Sequence, residues 1–302
     1  MNRELLGDLS QLFTLAFALT TMFAMGLGLT VGEIVAPLRN WRFVVATLVV
    51  NFIFVPLVAV LLAAVFDLSD DLRIGLVLIA SAAGAPMIPK LVQIAKGDAA
   101  SAVALVTMQI IATVAFLPVL LEILLPEANV AAGSVATSLS LQMLLPLAAG
   151  LVVRARYEEE ALGYRATVGI VSNVTLVLLV LVSIGQNLSG LLGLIGTGGL
   201  LAAALLTSVA VAAGFVVAVP AGVERRVMAL GAGQRNLAAA FIVANVDFAH
   251  RSDTLVYLAT ISLVSMLLLF LLAGEFSRRP RGSHLPSEPR AAAAGEEVPH
   301  RA

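Results

Sequence analysis

Nine stretches of about twenty residues in this chain carry almost nothing that water would solvate. They lie at about 9–30, 43–66, 72–95, 99–125, 134–153, 166–187, 194–219, 227–246 and 254–274. A helix rises about 1.5 Å per residue, so roughly 20 apolar residues cross about 30 Å of hydrocarbon. In lipid every backbone polar group must be bonded inside the protein, which makes helices the solution for such runs. The sequence therefore predicts an all-α integral membrane protein with about nine transmembrane helices. Its composition agrees: only 12% of residues are charged, against about 25% in soluble domains. The first run is entered through MNRELLGDLSQLF, which reads as the start of a mature span because Glu4 and Asp8 interrupt it. The transmembrane domain is expected over residues 1–274. Residues 275–302, rich in Pro, Arg and Ala, bring too little apolar surface to repay ordering and read as a disordered cytoplasmic tail.

Basic residues orient the spans, since cytoplasmic segments carry an excess of Lys and Arg. With the N-terminus outside, the inner segments hold Arg39, Arg42, Lys96, Arg154, Arg156, Arg165, Arg225, Arg226 and the five tail arginines, thirteen of the 18 basic residues. The outer segments hold Arg3, Arg73 and Arg251, together with Asp67, Asp70, Asp71 and Glu127. This predicts a multi-pass protein of the cell membrane with a cytoplasmic C-terminus. Two basic residues, Lys90 and Arg235, fall inside spans.

Both sit where a span is interrupted. The third span contains Gly84, Pro86 and Pro89, and Lys90 follows at once. The eighth contains LGAGQRNLAAA, with Gly231, Gly233, Gln234, Arg235 and Asn236. Proline removes a backbone donor and clashes with the preceding turn. The two glycines are expected to permit non-helical torsions. Interrupted spans at corresponding places in two halves point to a transporter binding site. The third and eighth spans are five apart, so they run in opposite directions, as an inverted repeat requires. Ordinary kinks, frequent in membrane helices, are the competing reading.

FAMGLGLT (23–30), NFIFVP (51–56), LVQIAKGDAASAVALVT (91–107) and GQRNLAAAF (233–241) make the chain resemble the bile acid:sodium symporter family. The resemblance implies nine or ten helices in inverted five-helix repeats, a core and a panel domain. Two broken helices cross there, with substrate and sodium sites at the crossing. Carried over by a gapless alignment, the sodium-ligand positions of that family fall on Leu230, Ile88, Pro89, Ala102 and Val106, while the amides Asn51 and Gln234 remain. A buried cation usually needs a negative partner, and neither interrupted span contains an acid between residues 72 and 97 or 227 and 246. Lys90 and Arg235 are instead expected to replace the ion's charge, to bind an anionic substrate, or both. For each there is a structural alternative. The Lys90 stem can snorkel to the inner interface, and Arg235 can bond backbone carbonyls of the crossing helix.

The predicted function is secondary active transport of a small organic anion by alternating access, with sodium coupling in doubt. The alternative is a sodium-coupled symporter that holds the ion with backbone carbonyls and amides. The expected substrate-binding residues are Asn51, Pro86, Pro89, Lys90, Gly231, Gly233, Gln234, Arg235 and Asn236. Sodium is one candidate coupling ion, a proton released by a desolvated Lys90 is another, and no other cofactor is expected. The partners expected are the anion and the lipid bilayer; a net charge of −1 points to no nucleic acid. Among the other polar residues within spans, Glu122 near Pro126 reads as interfacial. Asn173 with Ser172 and Thr175 either lines a cavity or bonds helix to helix. The chain has no cysteine, and its three histidines lie in an outer loop and the tail, so thiol, Ser–His and H-E-x-x-H chemistry are excluded. A channel or sensor would want a continuous polar lining that the spans do not offer.

Overall fold

A computed structural model describes residues 3–35, 39–128, 131–186, 194, 196–248 and 250–278. Among these, every regular element is helical. Seven helices are long and apolar enough to cross a membrane. They are α1 (Arg3–Gly28), α3 (Trp41–Val65), α6 (Ala99–Leu124), α7 (Ala132–Arg156), α8 (Glu158–Gln186), α9 (Gly199–Ala221) and α12 (Ser252–Arg278). A short α2 (Val31–Val35) follows α1. The two stretches predicted to be interrupted are each a pair of short helices: α4 (Asp70–Ser81) with α5 (Ile88–Ile94), and α10 (Arg225–Gly233) with α11 (Leu237–Asp247). Of the predicted tail, residues 275–278 continue α12; the rest lies outside the described residues.

Glycines set how closely the helices approach. A Cβ on Gly26 would stand 2.3 Å from the Leu147 carbonyl oxygen, and one on Gly150 2.5 Å from that of Phe23. Backbone therefore touches backbone where α1 crosses α7. Gly214 does the same for α9 against the Met228 carbonyl of α10, where a Cβ would sit at 2.3 Å. Small residues at such crossings are how membrane helices gain van der Waals contact in place of a hydrophobic driving force. The outer face of α8 shows Ile170, Val171 and Val174 exposed, as a lipid-facing surface would.

Two of the long helices contain a wider turn directly before a proline. In α3 the turn is Val50–Phe54, followed by Pro56; in α7 it is Ser140–Leu144, followed by Pro146. A proline ring collides with the carbonyl four residues back. Widening the turn relieves the collision and shifts the hydrogen-bond register. Val55 N–H then donates to Val50 rather than to Asn51, and the Asn51 carbonyl is left free inside the protein.

Candidate functional site

The two breaks meet. Residues around Ala83 and Arg235 leave the helical ladder and pair antiparallel, and Asn236 N–H donates to the Ala82 carbonyl at 2.9 Å. Gly84 is what turns the first chain. Its φ is +86°, and a Cβ there would lie 2.7 Å from the backbone nitrogen of Ile110. The prolines do not break a helix but start one. Pro89 lies in the first turn of α5, where a backbone N–H has no partner to lose. Asn236 caps α11 by accepting from Ala239 N–H at 3.1 Å, and its amide donates to the Gly84 carbonyl at 3.0 Å. From α6, Thr113 accepts from Ala83 N–H at 3.0 Å and donates to the Ala83 carbonyl at 2.8 Å. Gln109 donates to the Gly231 carbonyl at 3.1 Å.

Arg235 is buried at this crossing, and all five of its N–H donors have oxygen partners. Nη1 donates to Asn51 Oδ1 at 2.8 Å and to the Ala232 carbonyl at 3.1 Å. Nη2 donates to the Asn51 carbonyl at 3.2 Å and to the Ala80 carbonyl; Nε donates to the Ile79 carbonyl at 3.4 Å. The Asn51 carbonyl is the one released by the wide turn in α3. Ala80 and Ala232 belong to the last turns of α4 and α10, whose carbonyls have no intrahelical partner and carry the negative end of each helix dipole. The guanidinium is thus a cation held by neutral oxygens from three helices. No carboxylate is among its partners.

A cavity of about 720 Å³ lies against the crossing. Pro86, Pro89, Gln234, Arg235 and Asn236 line it, as do Thr21, Ser172 and Asn173. It extends along α1 and α8 to Gly28, Glu33 and Arg165, toward the end of the molecule that carries Arg154, Arg156, Arg225 and Arg226.

Several expected site residues stand elsewhere. Lys90 is exposed and Asn51 is buried behind Arg235; neither lines the cavity. Gly231 and Gly233 lie inside α10 and have no positive φ, which corrects the torsional role expected of them. Their reason is close packing: a Cβ on Gly231 would stand 2.1 Å from Leu105 Cδ2, and one on Gly233 2.5 Å from Val211 Cγ2. Glu122 is exposed, and Thr175 donates back to the Val171 carbonyl at 2.7 Å. Of the five positions onto which the resemblance carries sodium ligands, Leu230, Ile88, Ala102 and Val106 are apolar and fully buried, while Pro89 is half-buried and lines the cavity. Thr113 went unpredicted; a hydroxyl in the apolar run of α6, like that of Thr107, was its one signal.

The sequence pattern of the Sodium Bile acid symporter family matches residues 15–194. The chain belongs to that family. The matched stretch runs from α1 through α8 and contains Asn51 and the first break; Arg235 lies beyond it. A search of curated proteins finds no match. Family membership and the apolar helices make this a multi-pass membrane protein of a transporter family.

Proposed function

We propose that this symporter-family chain moves a small organic anion across the membrane by alternating access, and that it does so without sodium. The observation that carries the reading is the environment of Arg235. A bound metal cation would want a shell of hard oxygens. Here a tethered guanidinium fills such a shell, and its charge is permanent. The buried apolar side chains at four of the five positions onto which the resemblance carries ligands support the same conclusion.

In this reading the two broken pairs complete nine crossings in two inverted halves, with the basic end of the molecule in the cytoplasm. Two clamps at opposite ends support the symmetry. At the start of the first broken pair, Asp71 accepts from Arg251, which follows the second pair, at 2.6 Å. At the start of the second pair, Glu224 accepts from the N–H of Asp98, which follows the first pair, at 2.7 Å. The cavity reaches the basic end, as an inward-facing state would.

The sodium-coupled alternative also has an observation in its favour. Gln109 Oε1 and Gln234 Oε1 are buried next to the crossing without a hydrogen-bond partner. Thermal unfolding of the purified protein in sodium against equal potassium or choline separates the two. A ligand bound only to the folded state stabilises it by about 2.7 kcal/mol at a hundredfold excess over its Kd. The expected outcome is no sodium-specific change. A saturable rise in sodium alone would overturn the sodium-free reading and return the ion to the amides and carbonyls.

A further inference from the structure

We infer that Arg165, at the basic-end mouth of the cavity, is the residue that recognises the substrate's negative charge; this rests on the transporter reading above. Three charged side chains line the cavity: Glu33, Arg165 and Arg235. Glu33 is committed to the start of α2. Its carboxylate accepts from Thr30 N–H at 2.8 Å and Thr30 Oγ1 at 3.0 Å, and its own N–H donates to Thr30 Oγ1 at 3.3 Å. That reciprocal cap occupies the acid locally. Arg235 has a partner for each of its five donors. A carboxylate could bond to it only by displacing an acceptor that holds the crossing together.

Arg165 is different. It is exposed and has no ion pair among the described residues. Its guanidinium lies across the end of α1, and it can do so because residue 28 is glycine: any Cβ there would come within 2.6 Å of Cζ and Nε. A planar fork lying beside a wall with free donors is suited to take a carboxylate or sulfonate through two parallel N–H bonds. Between Arg165 and the crossing, Phe17, Leu29 and Leu176 give an apolar wall, and Ser172 and Asn173 give neutral hydrogen-bonding groups. The matching ligand is a monoanion whose charged head sits at Arg165 and whose mainly apolar body points toward Gln234 and Asn236. Arg235 then builds the crossing while Arg165 chooses the charge.

The chain has no cysteine, so a single Ser262→Cys places one thiol on the cavity wall. Purified protein is labelled with a negatively charged sulfonatoethyl methanethiosulfonate and, separately, with a positively charged trimethylammonioethyl methanethiosulfonate. The ratio of the two rates reads the charge met on the way in. Arg165→Gln should lower the anion-to-cation ratio about fivefold or more, as loss of one unit charge at intermediate dielectric implies. Arg165→Lys should keep most of the ratio, and Lys90→Gln should leave it unchanged. A ratio unmoved by Arg165→Gln would overturn the role of Arg165 and leave the transporter reading standing. Failure of both reagents to react would mean that the cavity is not open to water, and would overturn both.

Discussion

Arg235 shows how one residue type decides a membrane core. A guanidinium presents five donors in a rigid plane, and the crossing supplies five oxygens at the matching positions. Lysine has three donors on a flexible stem and matches this shell poorly. Arg235→Lys is therefore expected to lower stability by about 2–3 kcal/mol, from buried carbonyls left unpaired, measured as the shift in a denaturant or thermal unfolding curve in detergent. Gly84 is constrained in another way. Ala there meets a left-handed backbone and a fixed backbone nitrogen together. Gly84→Ala should cost about 3 kcal/mol or more and exceed Gly231→Ala, whose clash is with the mobile end of Leu105. Equal losses would show that the close approach, not the torsion, dominates. The sequence pointed to Arg235 because a charge in an apolar run is rare. It misread Gly231 and Gly233, since glycine serves torsion and close packing alike and only the neighbours tell them apart.

At the scale of the element, the wide turn in α3 joins a local sequence rule to the distant site. Pro56 forces the register shift, the shift frees the Asn51 carbonyl, and Arg235 takes it. Replacing a proline inside a helix by alanine ordinarily stabilises it by about 3 kcal/mol. Pro56→Ala is expected to bring no such gain, because a restored ladder would reclaim the Asn51 carbonyl and strip an acceptor from Arg235. A full gain on unfolding would mean that the wide turn is incidental. The AKGD segment is similarly plain once folded. Lys96, at φ +57°, ends α5 with Gly97 N–H bonded back to the Val92 carbonyl, and Asp98 caps α6 through Ala100 and Ser101. The motif's residues were legible as a turn between helices. That Asp98 also ties to Glu224 was not, because that partner lies 126 positions away.

Across the whole molecule, the proposed inward-facing state requires that one side be closed. Thr14 of α1 and Asn245 of α11 are joined at 3.0 Å in the half away from the basic end, and α1 packs along α11 there. A thiol at Ser262→Cys should then react with a membrane-impermeant reagent from the cytoplasmic side of sealed vesicles and not from the outer side. Reaction from the outer side alone would reverse the assigned orientation. Asn245→Ala removes the one bond joining these two side chains and is expected to raise outer-side labelling several-fold, by shifting a two-state population.

The sequence by itself determined the helical class, the places of the seven long spans and the location of both breaks. These are local matters: the free energy of burying about twenty apolar residues in lipid, and the backbone chemistry of glycine and proline. Only the tertiary structure decided what the charges do. Lys90 and Arg235 look alike in a one-dimensional reading, each a cation beside a break. Folding turns one outward and encloses the other among oxygens from three helices. It also brings Arg165, by sequence an ordinary member of the inner basic set, to the mouth of the cavity against Gly28. Whether a cation is committed or available depends on the acceptors around it, and those come from parts of the chain too distant for spacing to report.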